Sequence, residues 1–399
     1  MSSGAWISWG AWLLVIILGS SLRSRTYGIF RAVTLGIHNL IALPILTQAG
    51  SFAPLLWILH ALVFFESLAL IRPRLRPTWY RVIVTWPALY MAASVLLAWP
   101  WAILLALGFE PWGLWAPFLL GSVGMFQSLT TKSETPHILV GRVEPTASLS
   151  RVPLAEAEAP LHMDHGRPLR IAQVTDPHLG PFMPVGRLRK ICERIVKESP
   201  DLVVLTGDFL TMESQRDVSY LRDALLPLAN LSGRVFACMG NHDHEAPHIV
   251  SSALNDVGAT LLIDRAETIE TESGRVQVVG FDFHFSDRKA KMSKVCRQYP
   301  RESGVLRLAL LHDPGAFKHL EPGEADLVLA GHTHGGQVGL LSLGFMWTVA
   351  GFIAKIPDHG LWGQGTNRLY VHRGTGHYGF PLRLGVPAEE GILSVYGRA

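Results

Sequence analysis

The sequence predicts a chain of two unlike parts, a block of membrane-spanning helices followed by an α/β domain. Of its 399 residues, 49% are hydrophobic and 17% are charged, and the formal net charge is +3. Residues 1–131 contain seven Arg and two Glu but no Lys or Asp. Ten of the twelve Trp lie in that part, whereas fifteen of the seventeen His lie in the remainder. These observations exclude a simple soluble enzyme and a disordered chain. The three cysteines form no C-x-x-C pair, which argues against a disulfide scaffold.

The first 131 residues contain five apolar stretches that are candidates for membrane spans, since a helix needs about 20 apolar residues to cross a bilayer. They are approximately residues 6–22, 30–48, 53–71, 82–107 and 112–130. The fourth carries Pro87 and Pro100, so a kink is expected there. The fifth is the weakest, because glycines and Pro117 dilute its apolar run. The first stretch lacks a basic n-region and further apolar stretches follow it directly, so a cleavable signal peptide is not predicted.

The arginines predict how these spans are oriented. Two basic clusters flank or fill the connections between spans one and two and between spans three and four: Arg23, Arg25 and Arg31, then Arg72, Arg74, Arg76 and Arg81. The alternate connections, near residues 47–51 and 108–113, contain no basic residue. The positive-inside rule then places the N-terminus outside. With five spans the protein is a multi-pass protein of an inner or plasma membrane with its C-terminal domain in the cytoplasm. Without the fifth span, that domain lies outside.

The second part begins as a linker and continues as an α/β domain. In residues 132–168, the prolines at 145, 153, 160 and 168 break any long element, which predicts a linker with one edge strand near 138–154. From Leu169 onward, short apolar runs alternate with amphipathic segments. The runs are 169–174, 202–205, 235–239, 276–281, 306–311 and 327–330, and the amphipathic segments are 185–198, 218–228, 248–257 and 316–320. This alternation is typical of an α/β sandwich with buried sheets.

Side chains that can bind metals follow five of these apolar runs in succession. They occur in the sequences Thr175-Asp176-Pro177-His178, Thr206-Gly207-Asp208, Gly240-Asn241-His242-Asp243, His312 and Gly331-His332-Thr333-His334. Ligands gather at the carboxyl ends of strands in open α/β sheets because the loops converge there. Any one of these sequences alone is often a turn or a packed histidine. Five of them in order, at matching places, indicate a single metal centre.

The residue types suit hydrolysis at phosphorus by two metal ions. Two divalent ions ~3.5–4 Å apart clamp an in-line displacement, and a water held between them becomes the nucleophile near neutral pH. Asp208 is the natural bridging carboxylate. His242 is placed to protonate the leaving oxygen, with Asp243 or another carboxylate orienting it. Imidazole and carboxylate ligands favour Mn, Fe or Zn over Ca, and the absence of thiolates argues against a structural zinc.

The ordered pattern D-x-H, G-D, G-N-H-D, H and G-H-x-H closely resembles the calcineurin-like metallophosphoesterase superfamily over roughly residues 169–395. The resemblance implies that Asp176, His178 and His334 hold one metal, that Asn241, His312 and His332 hold the other, and that Asp208 is shared. It also implies that His242 is the catalytic histidine. The expected cofactor is two divalent ions, Mn²⁺ in the first place and Fe or Zn as alternatives.

The same resemblance implies a fold and a domain organisation. In that superfamily two packed mixed sheets are flanked by helices, which gives a four-layer α/β/β/α sandwich. The expected organisation is a transmembrane helical domain (1–131), a linker and edge strand (132–168) and the metallophosphoesterase sandwich (169–399). Several spans followed by this sandwich resemble the transmembrane metallophosphoesterase group. The soluble part is also similar to enzymes that cleave UDP-2,3-diacylglucosamine.

Two stretches bear on the substrate. Residues 288–301 include six basic side chains, which either attract anionic headgroups or form a solvated helix face. Residues 340–356 are almost wholly apolar and either lie in the membrane interface, receive acyl chains, or pack as a buried or docking surface. Arg288, Lys289 and Arg373 are the candidate substrate contacts. The expected partner is a membrane lipid or a lipid-linked phosphate, with no nucleic acid and no protein partner.

The function predicted from these features is a membrane-anchored dinuclear hydrolase. It would cleave a phosphodiester or pyrophosphate bond in a lipid-linked substrate that resembles UDP-2,3-diacylglucosamine. Two alternatives stay open, a phosphoprotein phosphatase and a non-enzymatic membrane sensor or transporter. The transporter reading requires a polar path through the spans. His38, His60 and Glu66 stand out as ionisable residues inside the spans, and the scarcity of intramembrane charge argues against this reading.

Overall fold

The computed structural model describes residues 3–141, 143–156 and 167–397. The chain divides into two compact units. One unit comprises the helices of the first 129 residues together with Gly379–Leu384, and the other comprises Thr130–Tyr378 and Gly385–Ala399. The first is entirely helical apart from its loops, and the second is a mixed α/β unit.

The described residues of the helical unit form seven α-helices. They are α1 (Ser3–Leu22), α2 (Arg25–Thr47), α3 (Ala53–Ala69), α4 (Thr78–Tyr80), α5 (Trp86–Leu97), α6 (Trp99–Ala106) and α7 (Ala116–Ser128). A π-helical segment, Arg81–Thr85, joins α4 to α5. Within the described residues, four continuous helical segments are long and apolar enough to cross a membrane: Ser3–Leu22, Arg25–Thr47, Gly50–Ala69 and Thr78–Leu97.

The sequence predicted about five spans, and the structure differs at the last two. The predicted span 82–107 is divided between α5 and α6 at Ala98, and Pro100 lies in the first turn of α6. The predicted span 112–130 contains only the 13 residues of α7. At 1.5 Å per residue, α7 is about 20 Å long, shorter than a hydrocarbon core of about 30 Å. The side of the membrane on which the α/β unit lies depends on whether this segment crosses the bilayer. That side therefore stays a prediction.

Polar side chains inside the helical unit bond to one another. Ser8 Oγ donates to Asn39 Oδ1 at 2.8 Å and lies 2.7 Å from His60 Nε2, and His60 Nδ1 lies 3.1 Å from His38 Nε2. Glu66 accepts hydrogen bonds from Tyr80 and Thr85, each at 3.1 Å. Buried polar groups must be paired in this way to avoid a desolvation penalty. The ionisable residues of the spans therefore have a packing role that requires no transport path.

Within its described residues, the α/β unit contains fourteen strands in two sheets. The strands are β1 (Thr131–Glu134), β2 (His137–Leu139), β3 (Thr146–Arg151), β4 (Leu169–Val174), β5 (Leu202–Leu205), β6 (Val235–Ala237), β7 (Thr260–Leu261), β8 (Arg265–Thr271), β9 (Gly274–Gly280), β10 (Leu306–Leu310), β11 (Leu327–Ala330), β12 (Gly360–Gly365), β13 (Asn367–Val371) and β14 (Ala388–Tyr396). One sheet has the order β1-β14-β4-β5-β6-β7, with β2 also paired to β14. The other has the order β3-β12-β13-β11-β10-β9-β8.

In the part of this unit that the structure describes, five α-helices accompany the sheets: α8 (Val185–Glu198), α9 (Val218–Leu225), α10 (Pro247–Asp256), α11 (Arg288–Gln298) and α12 (Val349–Ala354). Side chains alternate across each strand, and this alternation separates three apolar cores. Ile171 and Leu308 share the core between the two sheets. Ala172 packs with α8, α9 and α10 on the outer face of the first sheet, and Ala309 packs with α11 on the outer face of the second. The predicted four-layer α/β/β/α sandwich is confirmed.

The stretch predicted as a linker with one edge strand is more regular than expected. Residues 132–154 contribute to three short strands, of which β1 and β2 pair with β14 and β3 pairs with β12. Each sheet therefore has an edge strand that comes from this segment. The remainder of the predicted linker includes residues 157–166, which lie outside the described residues.

The strand directions bring the metal-capable turns to one edge of the sandwich. Strands β4, β5 and β6 are parallel neighbours in the first sheet. Strands β10 and β11 are parallel neighbours in the second. Because the carboxyl ends of parallel strands lie at the same edge of a sheet, the turns that follow them converge.

Candidate metal centre

The candidate ligands lie in the turns after five strands. Asp176 and His178 follow β4, Asp208 follows β5, Asn241 follows β6, His312 follows β10, and His332 and His334 follow β11. Six of these seven residues form two groups, Asp176 with His178 and His334, and Asp208 with His312 and His332. Within each group the ligand atoms lie within 4.8 Å of one another. The structure thus brings the predicted histidines and carboxylates together as a pair of metal-ligand sets.

Asp208 lies between the two groups. Its Oδ2 is 3.2 Å from His312 Nε2 in its own group and 3.7 Å from His178 Nε2 in the other. Its second oxygen, Oδ1, accepts a hydrogen bond from the backbone N–H of His242 at 2.9 Å. One carboxylate oxygen is therefore fixed by the backbone while the other faces ligands of both groups. This is the arrangement that a bridging carboxylate requires.

Asn241 completes the donor set predicted for the second group. Its Oδ1 is buried and accepts no hydrogen bond from any residue in the described part of the chain. A buried amide oxygen without a donor carries a desolvation penalty of about 1–3 kcal/mol. A cation bound by this oxygen would remove the penalty. The orphaned oxygen, together with six imidazole and carboxylate donors, fits a pair of divalent transition metals better than a structural zinc site.

Neighbouring groups orient the ligands. His312 Nδ1 lies 2.7 Å from the carbonyl oxygen of Thr206, so the Nδ1–H donates there and Nε2 presents its lone pair to the site. Thr175 Oγ1 donates to Asp176 Oδ2 at 2.7 Å, and the backbone N–H of His332 lies 3.0 and 2.9 Å from the two Asp176 oxygens. The ligand atoms are therefore held in place before any metal binds.

The backbone of the site is strained. Five of the seven candidate ligands have a left-handed φ: Asp176 (52°), His178 (46°), Asp208 (56°), His332 (70°) and His334 (52°). Such a conformation costs about 1–3 kcal/mol for a residue with a side chain. Gly207, with φ 88°, turns the chain immediately before Asp208. A Cβ there would lie 2.8 Å from Gly240 Cα and 2.9 Å from His312 Nδ1, so this turn requires glycine.

Burial and charge set the protonation of the ligands. Burial lowers the pKa of His178 to about 4 and also lowers the pKa of His332, so both imidazoles are neutral and able to bind metals. Burial alone would lower the pKa of His312, but the adjacent Asp208 carboxylate raises it to about 10. Metal binding at the second group would therefore release the His312 proton, which makes metal affinity fall as the pH is lowered.

Removal of the metals is expected to destabilise the α/β unit. A bound ion offsets the backbone strain of the turns and the repulsion between like charges that are buried at the ligands. At a free metal concentration 100-fold above Kd, linkage adds about 2.7 kcal/mol, or roughly 5–10 °C for a unit of this size. Thermal unfolding of the full-length protein in detergent, with Mn²⁺ and after chelation, measures this difference. The same transition temperature in both samples would contradict binding at this site.

His242 is fixed by three neighbours. Its Nδ1 lies 2.9 Å from Glu245 Oε1, its backbone N–H donates to Asp208, and its ring stacks on Tyr378 with centroids 4.4 Å apart at 25°. The sequence predicted that Asp243 or another carboxylate orients this ring. Asp243 instead accepts the backbone N–H groups of Asp208, Phe209 and Gly240 at 2.7–2.9 Å. Glu245 is therefore the orienting carboxylate, and Asp243 shapes the turn that carries Asp208.

The Glu245 carboxylate is expected to set the alkaline limit of activity. Burial lowers the pKa of His242, but the hydrogen bond and charge of Glu245 and the charges of Asp208 and Asp243 outweigh it, so the pKa is raised. A general acid works only while protonated, so activity is lost as the pH rises through this raised pKa. In Glu245→Gln, the alkaline limb of kcat against pH should move to lower pH by roughly half a unit to one unit. Glu213→Gln serves as the control, and an unmoved limb would contradict the role of Glu245.

The three candidate substrate contacts differ in position. Arg288 forms an ion pair with Asp313 and lines a small cavity together with His312 and Phe283. Lys289 is exposed and pairs with Glu321 at 3.5 Å. Arg373 is buried and forms ion pairs with Glu134 at 2.6 Å and Glu389 at 3.1 Å, which identifies a structural role for it. Arg288 is placed beside the candidate metal ligand His312, and contact of any of the three with substrate stays a prediction.

Sequence reasoning missed two residues of the site. Glu245 stands three positions after His242, and this i, i+3 spacing was a usable signal. Tyr378 stacks on His242 and lies 4.9 Å, centroid to centroid, from His178. It comes from the loop between β13 and β14, where no periodic pattern or metal-capable motif marks its position. The residue that follows it, Gly379, begins the short segment that belongs to the helical unit.

This architecture and this donor set define a class of protein, the dinuclear metallophosphoesterases. A family model of calcineurin-like phosphoesterases matches residues 169–336, which include all seven candidate ligands and His242. The phosphodiesterase YaeI of Escherichia coli is 30% identical over 241 residues, which cover 58% of this chain and 84% of that protein. The chain belongs to the calcineurin-like phosphoesterase family, and it is a metal-dependent phosphoesterase.

Two further relatives match this chain over different shares of their own length. The UDP-2,3-diacylglucosamine pyrophosphatase LpxG of Chlamydia trachomatis is 26% identical over 314 residues, which cover 64% of this chain and 92% of that protein. A Danio rerio protein described as a transmembrane protein with metallophosphoesterase domain is 28% identical over 237 residues. That match covers 55% of this chain and 52% of the Danio rerio protein, so the chain spans about half of that relative.

Proposed function

We propose that this protein is a membrane-anchored phosphoesterase with two metal ions, which cleaves a phosphodiester or pyrophosphate bond in a lipid-linked substrate. The observation that carries the proposal is the carboxylate of Asp208, which faces ligands of both metal-binding groups while its other oxygen holds the backbone of His242. A bridging carboxylate and an adjacent imidazole are the two parts that in-line displacement at phosphorus needs.

Each residue has a distinct part in this proposal. Asp176, His178 and His334 would hold one ion, and Asn241, His312 and His332 the other, with Asp208 shared. Two divalent ions there, Mn²⁺ in the first place and Fe or Zn as alternatives, supply Lewis-acid activation of water and neutralise charge on the phosphoryl oxygens. His242 donates a proton from Nε2 to the leaving oxygen, because Glu245 holds the Nδ1–H.

Three observations support a lipid-linked substrate. The described residues include four helices of membrane-spanning length, which would tether the substrate site to a bilayer. The relative LpxG is a UDP-2,3-diacylglucosamine pyrophosphatase, and its match covers 92% of that protein. Arg288 adds a cation beside the second ligand group, where an anionic headgroup would carry its charge. We therefore propose a substrate that resembles UDP-2,3-diacylglucosamine, a sugar nucleotide with acyl chains.

The expected product distinguishes this substrate from others. Full-length protein in detergent with Mn²⁺ should release UMP from UDP-2,3-diacylglucosamine, as followed by mass spectrometry, and Asp208→Asn should release none. Another Asp208-dependent product from a membrane lipid extract would keep the two-metal chemistry and assign a different lipid. Turnover of phosphopeptides above that of every lipid would favour the phosphoprotein phosphatase instead.

We also propose that the α/β unit faces the cytoplasm. The proposal rests on the two arginine clusters that flank the connections after α1 and α3, and it requires α7 to return the chain across the membrane. A C-terminal green fluorescent protein fusion expressed in a bacterial inner membrane should fluoresce, and an alkaline phosphatase fusion should be inactive. The opposite pair of results would place the unit outside.

A further inference from the structure

The segment that follows the His332-Thr333-His334 turn projects large apolar side chains into solvent. Seven of them are between 40% and 72% exposed: Leu340, Leu343, Phe345, Met346, Trp347, Phe352 and Ile353. The sequence left three readings open for residues 340–356, namely an interfacial segment, an acyl-chain receptor, and a buried core or docking surface. The exposure of these side chains removes the buried-core reading. Soluble surfaces rarely carry a contiguous apolar patch without a partner.

These side chains are held in a defined conformation. The backbone N–H of Leu340 donates to the carbonyl of Trp347 at 2.9 Å, and that of Val349 donates to Val338 at 2.9 Å. Thr348 Oγ1 accepts the N–H of Gly351 at 3.0 Å and so caps α12, which carries Phe352 and Ile353. The patch is therefore built into the fold and does not result from an unstructured loop.

The base of the segment is connected to the metal centre. Thr333, which lies between the ligands His332 and His334, donates from Oγ1 to the carbonyl of Asp358 at 2.6 Å. The Asp358 carboxylate in turn binds Thr348 and forms an ion pair with Arg151 at 2.7 Å. A single buried residue, Asp358, thus fixes both the base of the apolar segment and the turn between two candidate ligands.

We propose that residues 340–353 insert into the interfacial layer of the bilayer and dock the metal centre against the membrane. A bilayer is the occupant that the chain itself favours, because its four spanning-length helices tether the α/β unit to one. Residues 337–357 contain no acidic residue and one cation, Lys355, at the end of α12. Aromatic and aliphatic side chains with a flanking Lys are typical of segments that lie in the interface.

This docking deepens the proposed function and rests on it, since a lipid-linked substrate lies in the same interface. The reacting phosphate would reach the ligand groups without leaving the headgroup layer. The apolar segment contributes no candidate metal ligand, so a water-soluble substrate would not depend on it. A comparison of the turnover of lipid and water-soluble substrates therefore tests docking and catalysis separately.

Insertion can be measured without any activity. Phe352→Cys carries a nitrobenzoxadiazole label, and the native Cys192, Cys238 and Cys296 are buried and unlabelled. In full-length protein reconstituted into phosphatidylcholine–phosphatidylglycerol vesicles, lipids with nitroxide on the acyl chains should quench this label at least about twofold. The same label at Leu226→Cys, a position 43% exposed on the α/β unit, should not be quenched. Equal, weak quenching at the two positions would overturn the proposal.

A matched pair of variants tests the consequence for turnover. Phe352→Ser/Ile353→Ser should lower turnover of UDP-2,3-diacylglucosamine in vesicles about tenfold and leave bis-p-nitrophenyl phosphate hydrolysis unchanged. Leu226→Ser/Ile263→Ser removes two apolar side chains of the same unit, 43% and 40% exposed, and should change neither rate. If every form fails to hydrolyse bis-p-nitrophenyl phosphate, the proposed function fails, whereas the quenching result still decides the docking.

Two other occupants give different outcomes, and either would overturn docking on a bilayer. Quenching that begins only when UDP-2,3-diacylglucosamine is added would assign the segment to the acyl chains of the substrate. The third occupant is a second copy of the chain. In that case the label should become less accessible to solvent as the protein density in the vesicles rises, and unlabelled Phe352→Cys should form disulfide-linked dimers.

Discussion

Asp208→Asn is expected to abolish hydrolysis while the protein stays folded. The substitution keeps the shape of the side chain and an oxygen that can accept the N–H of His242, but it removes the charge that faces both ligand groups. Loss of the bridging carboxylate removes the placement of two ions at once, so kcat for bis-p-nitrophenyl phosphate should fall on the order of 10³-fold or more. Steady-state rates at saturating Mn²⁺ measure the loss.

The matched control for this variant is Asp256→Asn, at the exposed C-terminal end of α10. It removes an equal charge from the same unit and should keep the parental rate. Both variants should show the same helical and strand content by circular dichroism. Activity of metal-loaded Asp208→Asn within tenfold of the parent would contradict a bridging role.

His242→Gln is expected to show a loss that depends on the leaving group. General acid catalysis contributes typically 10²–10⁴-fold when the departing oxygen is basic and needs a proton. A p-nitrophenolate anion departs without protonation, so bis-p-nitrophenyl phosphate should lose far less than an alkyl or nucleotide ester. The ratio of kcat values for the two kinds of substrate isolates the proton transfer from binding effects.

A histidine elsewhere on the surface provides the control for that ratio. His248→Gln, on an exposed position of α10, should leave both rates unchanged. If His242→Gln lowers the rates of good and poor leaving groups equally, the residue orients the substrate or the turn of Asp208 rather than donating a proton. The stacked ring of Tyr378 would then be the first neighbour to test.

The buried strands of the sandwich could be predicted because their pattern is local. Runs such as 169–174 and 327–330 coincide with β4 and β11, since a strand covered on both faces is a short, continuous apolar run. The turns after those strands could be predicted as ligand-bearing for the same reason. Because neighbouring strands are parallel, their carboxyl ends lie close together in space although they are far apart in the sequence.

The parts of the fold and of the site that the sequence did not predict depend on contacts between residues that are far apart in the sequence. Strands β1 and β2 are short and partly exposed, and each forms by pairing with β14, more than 240 residues further along the chain. Apart from the single edge strand predicted near 138–154, no local pattern indicates these edges. Tyr378 likewise reaches His242 from a loop 136 residues away in sequence. The prolines of the predicted linker indicated that regular structure is interrupted there. The segment nevertheless forms short strands, because the two sheets supply the hydrogen-bond partners that it lacks locally.

The membrane region was predicted from composition, which determines apolar length but not helix breaks. The apolar run at 82–107 was long enough for one span, yet Ala98 separates α5 from α6 before Pro100. The run at 112–130 contains Gly113 and Pro117, and α7 starts only at Ala116. Proline is accommodated in the first turn of a helix and ends the one before it, which explains both differences.

The most direct test of the two-metal site is the metal content of the full-length protein as activity appears. Metal-free protein in detergent is titrated with Mn²⁺, bound metal is measured by mass spectrometry after removal of free ion, and bis-p-nitrophenyl phosphate hydrolysis is followed in the same samples. We expect two ions per chain, with activity that rises as the second binds, and at most one ion with no activity in Asp208→Asn. Full activity with one ion or none, or two ions retained in an active Asp208→Asn, would contradict a centre joined by Asp208.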